Sequence, residues 1–313
     1  MTSANVKSVS FVVVALTVVG SVLCSPLLIG SALVVKPNAP SSSLSGNQSS
    51  SDLGHFPGAE EADDADTDRI VGGRYARRHQ FPFMAVVHRL LGGGYVAQCG
   101  GTIISQRWVL TAGHCVSQDP PRRFIVVFGV NDKSGLGYDF YQGSGVAMMT
   151  ERGALHPGYR PSVNDVGLLY MPRDIPFGRN IQPIRLAGPS QAYEDFAGMK
   201  ATVIGWGKDQ STGVGTKYLK YATLPIISSS QCSIYWNIIP KKHVCTVAGY
   251  GSDACQGDSG GPLIVYKNGA PLQIGVVSYG DANCPSSRPG VFSRVTGYID
   301  WIQQVTGLYY GDQ

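Results

Sequence analysis

The stretch Asp-Ala-Cys-Gln-Gly-Asp-Ser-Gly-Gly-Pro, residues 253–262, places one serine inside a run of glycines. Ser259 is a candidate nucleophile, because the glycines beside it let backbone N–H groups approach a reacting carbonyl closely. Two acids, Asp253 and Asp258, and one cysteine, Cys255, lie in the same ten residues. A Gly-Ser-Gly run alone is usually a plain turn. The interpretation of this stretch therefore depends on the rest of the chain.

A histidine and an aspartate earlier in the chain complete a catalytic set. His114 ends the run Leu-Thr-Ala-Gly-His, and Asp165 enters the apolar run Val-Gly-Leu-Leu. A serine hydroxyl is a weak nucleophile at neutral pH, so it needs a base within reach, and the base needs an orienting acid. The order His114, Asp165, Ser259 matches one known template of serine hydrolysis. Hydrolases with a Gly-x-Ser-x-Gly elbow are disfavoured, because their acid and histidine follow the serine.

Further segments, in the same order, make the chain resemble the chymotrypsin-like serine proteases of the trypsin branch. The resemblance covers residues 70 to about 305, nearly all of the chain after an N-terminal extension. The additional segments are Ile-Val-Gly-Gly at 70–73, Cys-Gly-Gly-Thr-Ile-Ile at 99–104, Gly-Trp-Gly at 205–207, Ser-Tyr-Gly at 278–280 and Pro-Gly-Val-Phe at 289–292. One such motif is weak, but the whole set in this order is specific.

The resemblance implies an all-β fold of two antiparallel six-stranded β-barrels with a short C-terminal helix. The first barrel would supply the histidine and aspartate, and the second the serine. Composition agrees, because 15 % charged residues and 40 glycines suit many short strands joined by turns. Apolar runs at 124–128, 201–204 and 273–277 predict strands, and an apolar stripe over residues 298–305 predicts the helix.

The resemblance also implies roles for the remaining residues of the site. The N–H groups of Gly257 and Ser259 would form the oxyanion hole, and Ser278 would support the hydrogen bonding of the catalytic aspartate. Asp253 would lie at the base of the primary substrate pocket, with Gly280 and Gly290 as its open walls. Such a pocket accepts the cationic side chain of arginine or lysine. Ala254, beside the acid, would shift the preference towards arginine.

Six of the seven cysteines follow the N-terminal extension, and Cys24 lies within it. Six cysteines can pair in fifteen ways. The resemblance selects Cys99 with Cys115, Cys232 with Cys245 and Cys255 with Cys284. Three disulfides need an oxidising compartment.

The first 69 residues predict a targeting segment followed by a propeptide. Residues 8–35 carry no charge, which is typical of a secretory signal and also long enough for a membrane anchor. We expect a signal peptide over residues 1–32, with Cys24 and Ala32 as alternative cleavage points, and an anchor as the alternative. Residues 33–69 form the expected propeptide, including a Ser-rich stretch and a glycosylation sequon at Asn47.

The end of this propeptide predicts an activation site before a peptidase domain of residues 70–313. Six acids within residues 60–68 precede Arg69. In the resembled family, cutting at this point frees an α-amino group, here that of Ile70, which pairs with the acid before the catalytic serine, here Asp258. A paired carboxylate can be held in the interior, whereas an isolated one is costly.

These observations favour a secreted, extracellular, monomeric endopeptidase that acts on proteins or peptides with arginine or lysine at the cut and is open to protease inhibitors. The domain after Arg69 has a charge of +8, from 22 Lys/Arg and 14 Asp/Glu. It shows no nucleic-acid-binding pattern. No cofactor or metal is predicted, and residues 131–142 lack the paired glutamates of calcium-binding relatives. The alternatives are an inactive protease-like binding module and a membrane-anchored form of the enzyme with an extracellular protease domain.

Overall fold

The computed structural model describes residues 33–35, 73–117, 123–208, 215–249, 253–281 and 283–311. The sequence predictions for the signal segment, for Asn47 and for the activation residues Arg69 and Ile70 lie outside these residues. In the part of the chain that is described, no helix has both the length and the apolar character needed to cross a membrane.

Strands dominate the described residues. The strands before residue 171 are β1 (Leu33–Val35), β2 (Arg74–Tyr75), β3 (Met84–Gly92), β4 (Tyr95–Ile103), β5 (Trp108–Thr111), β6 (Phe124–Phe128), β7 (Val146–Thr150), β8 (Gly153–Leu155) and β9 (Gly167–Tyr170). The later strands are β10 (Arg185–Leu186), β11 (Lys200–Gly205), β12 (Lys220–Ile227), β13 (His243–Thr246), β14 (Pro262–Lys267), β15 (Ala270–Tyr279) and β16 (Gly290–Arg294). Three short helices accompany them, namely α1 (Gly113–Val116), α2 (Ser229–Ser233) and α3 (Ile299–Thr306).

The first sheet has the strand order β7-β6-β3-β4-β5-β9-β8, with β1 paired to β4. Only Glu151 and Arg152 separate β7 from β8, so one bent segment pairs with β6 at one end of the order and with β9 at the other. The segment closes the sheet into a barrel of six strands. All five residues of β6 are buried, as its continuous apolar run predicts.

The second sheet closes through β15, which pairs with both β14 and β16. The order β15-β14-β11-β12-β13-β16 is therefore a ring of six antiparallel strands. Short strands extend it, since β2 pairs with β12 and β10 lies parallel to β15. Burial along β12 alternates, as one inward face of a pleated strand requires. The predicted all-β fold of two barrels is thus confirmed.

The C-terminal helix α3 ties the end of the chain to the first barrel. Ile299 and Ile302 are buried, and they belong to the same apolar cluster as the interior of that barrel. The helix ends at Thr306, and the capping residue Gly307 that follows has a left-handed φ of 71°, which favours glycine. The short C-terminal helix predicted from the apolar stripe is confirmed.

Three disulfides hold the loops that leave the barrels. They join Cys99 to Cys115, Cys232 to Cys245 and Cys255 to Cys284, the same pairs that the resemblance implies. The first connects β4 to α1, and the third connects the serine loop to the segment before β16. Each such bridge stabilises a folded domain by roughly 2–4 kcal/mol.

The two barrels meet where β4 passes the serine loop. The N–H of Gly100 donates to the carbonyl of Ser259 at 2.8 Å, and the Thr102 hydroxyl donates to the Gln273 side chain at 2.8 Å. A Cβ at Gly100 would lie 3.1 Å from the backbone of Gly261, so only glycine allows this approach without displacement. The contact between the barrels therefore combines a close main-chain approach with a side-chain hydrogen bond.

Gly260 provides a test of this contact. Its φ is +81°, and a Cβ there would lie 2.2 Å from the Thr111 hydroxyl oxygen. Gly269 has a similar φ of +77° with nothing within 4 Å. We expect Gly269→Ala to lower the free energy of unfolding by about 1 kcal/mol, because alanine disfavours the left-handed backbone conformation and meets no other obstacle there. We expect Gly260→Ala to lower it by about 3 kcal/mol or more, because the clash adds to the strain. Denaturant unfolding measures both, and equal losses would contradict the contact.

Candidate active site

His114 and Asp165 form the best-defined contact of the site. His114 lies in α1, at the end of the first barrel, and Asp165 lies just before β9. Asp165 binds the histidine twice, through Oδ2 to the ring Nδ1 at 2.8 Å and through Oδ1 to the backbone N–H at 2.8 Å. A Cβ at Gly113 would lie 3.1 Å from Asp165 Oδ1. The carboxylate thus fixes both the position and the orientation of the imidazole.

Two serines of the second barrel hold Asp165 from the other side. The Ser278 hydroxyl donates to Asp165 Oδ2 at 2.6 Å, and the Ser293 hydroxyl donates to the Asp165 main-chain carbonyl at 2.6 Å. Burial raises the pKa of Asp165, but the His114 charge and the hydrogen bonds from His114 and Ser278 outweigh it and leave the pKa below its usual value. The buried acid is therefore ionised at neutral pH.

Ser259 lies between the two barrels, on the short turn before β14. Its side chain is 4 % exposed. The imidazole Nε2 of His114 is buried and makes no hydrogen bond to any described residue. Catalytic hydrogen bonds are often long in the absence of substrate and tighten when it binds. The two residues are near each other in the structure, since the Sγ of Cys115, the residue after His114, lies 3.6 Å from the Ser259 carbonyl oxygen, but no hydrogen bond joins their side chains.

The serine loop leaves two main-chain donors unused. The N–H groups of Asp258, Gly260 and Gly261 donate to backbone carbonyls. By contrast, the N–H groups of Gly257 and Ser259 donate to no backbone carbonyl within the described ranges. Gly257 has a φ of +99°, a conformation that favours glycine. A pair of free N–H groups at this point suits an oxyanion hole.

The carboxylate of Asp258 is buried against the backbone of two glycines. Its carboxylate accepts the N–H of Gly207 at 2.7 Å and the N–H of Cys255 at 2.9 Å. A Cβ at Gly205 or Gly207 would lie 2.0 Å or 2.4 Å from its oxygens. Burial raises the pKa of Asp258 to about 6, although the hydrogen bonds and the charges of Lys133 and Lys220 lower it in part.

A second pocket opens beside Ser259, with Asp253 in its wall. Asp253 is 5 % exposed, and its carboxylate accepts the N–H of Ala254 at 2.8 Å. A Cβ at Gly280 would lie 3.9 Å from Gly290, and one at Gly290 would lie 3.3 Å from Asp253 Oδ1. Burial raises the pKa of Asp253 to about 7. The pocket is therefore narrow, walled by glycine, and holds a carboxyl group that lacks a cation among the described residues.

The wall of this pocket also contains Ser278 and Tyr279. Trp236 packs edge-on against Tyr279 at 5.5 Å and donates its indole N–H to the carbonyl of Pro289 at 2.8 Å. Burial raises the pKa of Tyr279 to about 12, so the ring stays neutral. Ser278 thus lines the pocket and also donates a hydrogen bond to Asp165.

One group in the site has metal-binding residue types. The ligand atoms of Cys99, His114 and Cys115 lie within 4.8 Å of one another. The two sulfurs form a disulfide, and the histidine Nδ1 is hydrogen-bonded to Asp165. Neither a thiolate pair nor a free Nδ1 is present, so this group does not fit a metal site.

The sequence did not assign roles to Gly205, Gly207 and Ser293. The two glycines take part in the sequence argument only as members of the segment Gly-Trp-Gly. Their spacing around Trp206 is the one sequence signal that a close backbone contact occurs on this side of the strand. Ser293 carries no signal at all. Its contact with Asp165 spans 128 residues of sequence and exists only because the second barrel closes.

The comparisons with known proteins agree with this geometry. The family model described as Trypsin matches residues 70–302. Serine protease 1 of Drosophila melanogaster is 34 % identical over 246 residues, which cover 77 % of this chain and 87 % of that protein. Collagenase of Hypoderma lineatum is 36 % identical over 248 residues, covering 77 % and 89 %. The solved structure of HL collagenase superimposes with a TM-score of 0.67 at 34 % identity, over 77 % of this chain and all of that one.

The chain therefore belongs to the trypsin family of chymotrypsin-like serine proteases. It is a serine endopeptidase, and its substrates are proteins.

Ser278 offers a test of the support around Asp165. We expect Ser278→Ala to lower kcat by about tenfold, because Asp165 loses a charge-assisted hydrogen bond. That hydrogen bond favours the carboxylate, so its loss also raises the pKa of Asp165 towards its usual value, which an NMR titration of the carboxyl group measures.

Ser293→Ala is the matched control, since its hydroxyl contacts the main-chain carbonyl of the same residue. We expect it to leave the pKa of the Asp165 carboxyl group in place. An Asp165 pKa that is the same in Ser278→Ala and in Ser293→Ala would contradict the assigned support.

Proposed function

We propose that this protein is the precursor of a secreted endopeptidase that cuts after arginine and lysine. The observation that carries the proposal is the buried Asp253 between Gly280 and Gly290. A buried carboxylate without a cation is unfavourable, and an entering guanidinium or ammonium supplies that cation. An aliphatic or aromatic side chain would leave the carboxyl group desolvated and unpaired, so the pocket discriminates against it.

The chemistry assigned to the site is acyl transfer. Ser259 Oγ attacks the carbonyl carbon of the scissile bond while His114 Nε2 takes its proton. Asp165 stabilises the imidazolium that forms, and the N–H groups of Gly257 and Ser259 bind the negative oxygen. His114 then returns the proton to the leaving amine, and water releases the acyl group by the same steps. One oxyanion donor contributes about 2.7–4 kcal/mol to lowering the barrier.

Activation is assigned to cleavage after Arg69. The new ammonium of Ile70 would insert beside the buried carboxylate of Asp258 and pair with it. Since burial holds the pKa of Asp258 near 6, an adjacent cation would lower it and favour the ionised acid at neutral pH. The pairing would fix the loop that carries both Gly257 and Ser259. The uncleaved chain would thus be a zymogen.

Secretion is supported by the uncharged N-terminal segment and by the three disulfides, which need an oxidising compartment. A relative from Apis mellifera, 35 % identical over 248 residues, is a venom serine protease. We also propose that the enzyme is a monomer. Protease inhibitors should reach it, since the substrate pocket lies at the surface of the cleft.

The test compares peptide substrates that end in arginine, lysine, phenylalanine or alanine before the scissile bond. The protein cleaved after Arg69 should prefer arginine and lysine by about 1,000-fold or more, because only they pair with Asp253. Asp253→Ser should lower turnover of those two by a similar factor and leave phenylalanine unchanged. The uncleaved chain should be at least about 100-fold slower on every substrate.

Ser259→Ala, processed in the same way, is the control for contaminating proteases. Turnover only of the phenylalanine or alanine substrate would contradict the role of Asp253. No turnover of any substrate by folded, processed protein would favour the inactive binding module instead. Equal rates before and after cleavage would contradict the zymogen.

A further inference from the structure

A strand from the N-terminal extension lies on an edge of β4. β4 pairs with β3 along its length, and β5 pairs with it only at its far end. β1 pairs antiparallel with the near end, Leu33 opposite Gln98 and Val35 opposite Val96. Since β3 already occupies one edge at these residues, β1 must lie on the other. The strand β1 of the same chain therefore covers the edge of β4 that adjoins the cleft.

That edge continues directly into the serine loop. Alternate residues of a strand direct their N–H and C=O groups to the same edge, so Val96, Gln98 and Gly100 share one edge of β4. Gly100 uses its N–H to bind the Ser259 carbonyl at 2.8 Å. The Gln98 side chain donates to the Gly257 carbonyl at 3.4 Å. The two positions that β1 covers are thus the next two along the edge from the catalytic serine.

The primary pocket lies elsewhere. Among the described residues, its lining comes from 253–256, Ser259, 277–281 and 290–292, with no contribution from β4. A chain that fills the pocket and continues past Ser259 must leave on the side away from it, where the β4 edge offers main-chain hydrogen bonds. An edge strand is a ready template for such pairing.

We propose that Leu33–Val35 masks the edge of Val96 and Gln98 in the precursor, so that this strand must leave before a substrate chain can pair with β4 past the scissile bond. The proposal rests on the proposed function, because it assigns an inhibitory role to the propeptide of that same precursor. The mask would block extended substrates and leave the Asp253 pocket open.

The mask depends on its tether. A three-residue strand makes few main-chain hydrogen bonds, and each adds little net stability in water. The link through residues 36–69 gives β1 an effective concentration in the millimolar range, which is roughly what such a weak strand needs to stay bound. A cut after Arg69 removes the tether, so the same cut that frees Ile70 also uncovers the edge.

Two proline variants test the pairing. Val35 lies opposite Val96, so its N–H faces β4, whereas the N–H of Val34 faces away. Proline removes an N–H and is tolerated only where that group faces outward. In the precursor with Ser259→Ala, which cannot cut itself, we expect slow hydrogen exchange at the Val96 and Gln98 amides. Val35→Pro should speed that exchange about tenfold or more, and Val34→Pro should not.

A kinetic arm tests the masking. A synthetic peptide with the sequence of residues 31–40 is added at about 2 mM to the enzyme cleaved after Arg69. It should lower kcat/KM about twofold or more for peptides that extend four residues past the scissile bond. It should leave an arginine anilide, which fills only the pocket, unchanged. The same peptide with proline at the Val35 position should have no effect on either.

Each result of these experiments either supports the masking of the β4 edge by β1 or overturns it. Fast exchange at Val96 and Gln98 in the intact precursor, or equal inhibition of long and short substrates, would overturn the mask. So would the absence of inhibition of either substrate at that concentration. If the arginine anilide is not hydrolysed at all, the proposed function fails, and the exchange measurement still decides whether β1 occupies the edge.

Discussion

The structure depends on how it stabilises the charge of three buried carboxylates near the contact between the two barrels. Asp165, Asp253 and Asp258 are each 5 % exposed or less. Water cannot stabilise their charge, so each requires hydrogen bonds or a cation from its surroundings. The three acids differ in how much of that requirement the chain itself meets. We assign their different roles to this difference.

The carboxylate of Asp165 accepts two hydrogen bonds from His114 and one from Ser278, and its pKa is lowered. Asp258 has two main-chain donors and the charges of Lys133 and Lys220 nearby, and burial still holds its pKa near 6. Asp253 has the main-chain donors of Ala254 and Ser286 but no cation beside it among the described residues, and its pKa is near 7. An acid that is satisfied can orient a base. Burial still raises the pKa of Asp258 beside the charges of Lys133 and Lys220, so we propose that a new chain terminus adds the charge that keeps it ionised. Asp253 has no such charge among the described residues, so we propose that a substrate supplies it.

Part of this architecture follows from the sequence and part does not. The apolar run of residues 124–128 is β6, because continuous burial leaves a continuous apolar signal. The two barrels, the disulfide pairs and the closing helix follow from motifs whose order is specific to one family. The glycine walls around Asp258 do not follow, because Gly207 and Asp258 are 51 residues apart and meet only after the second barrel closes. The pairing of β1 with β4 is likewise invisible, since three apolar residues in an uncharged segment equally suit a signal sequence.

The most direct test of the account is a calorimetric titration of the Arg69-cleaved protein with benzamidine, an aromatic cation, between about pH 5.5 and pH 8. Asp253 in the empty pocket has a pKa of about 7, and only its ionised form pairs with the amidinium. Binding should therefore release a proton below that pH, and affinity should fall by up to about tenfold for each pH unit below it. Asp253→Asn should bind weakly with no such dependence. An affinity independent of pH, with no proton released, would contradict the claim that an uncompensated carboxylate selects the substrate.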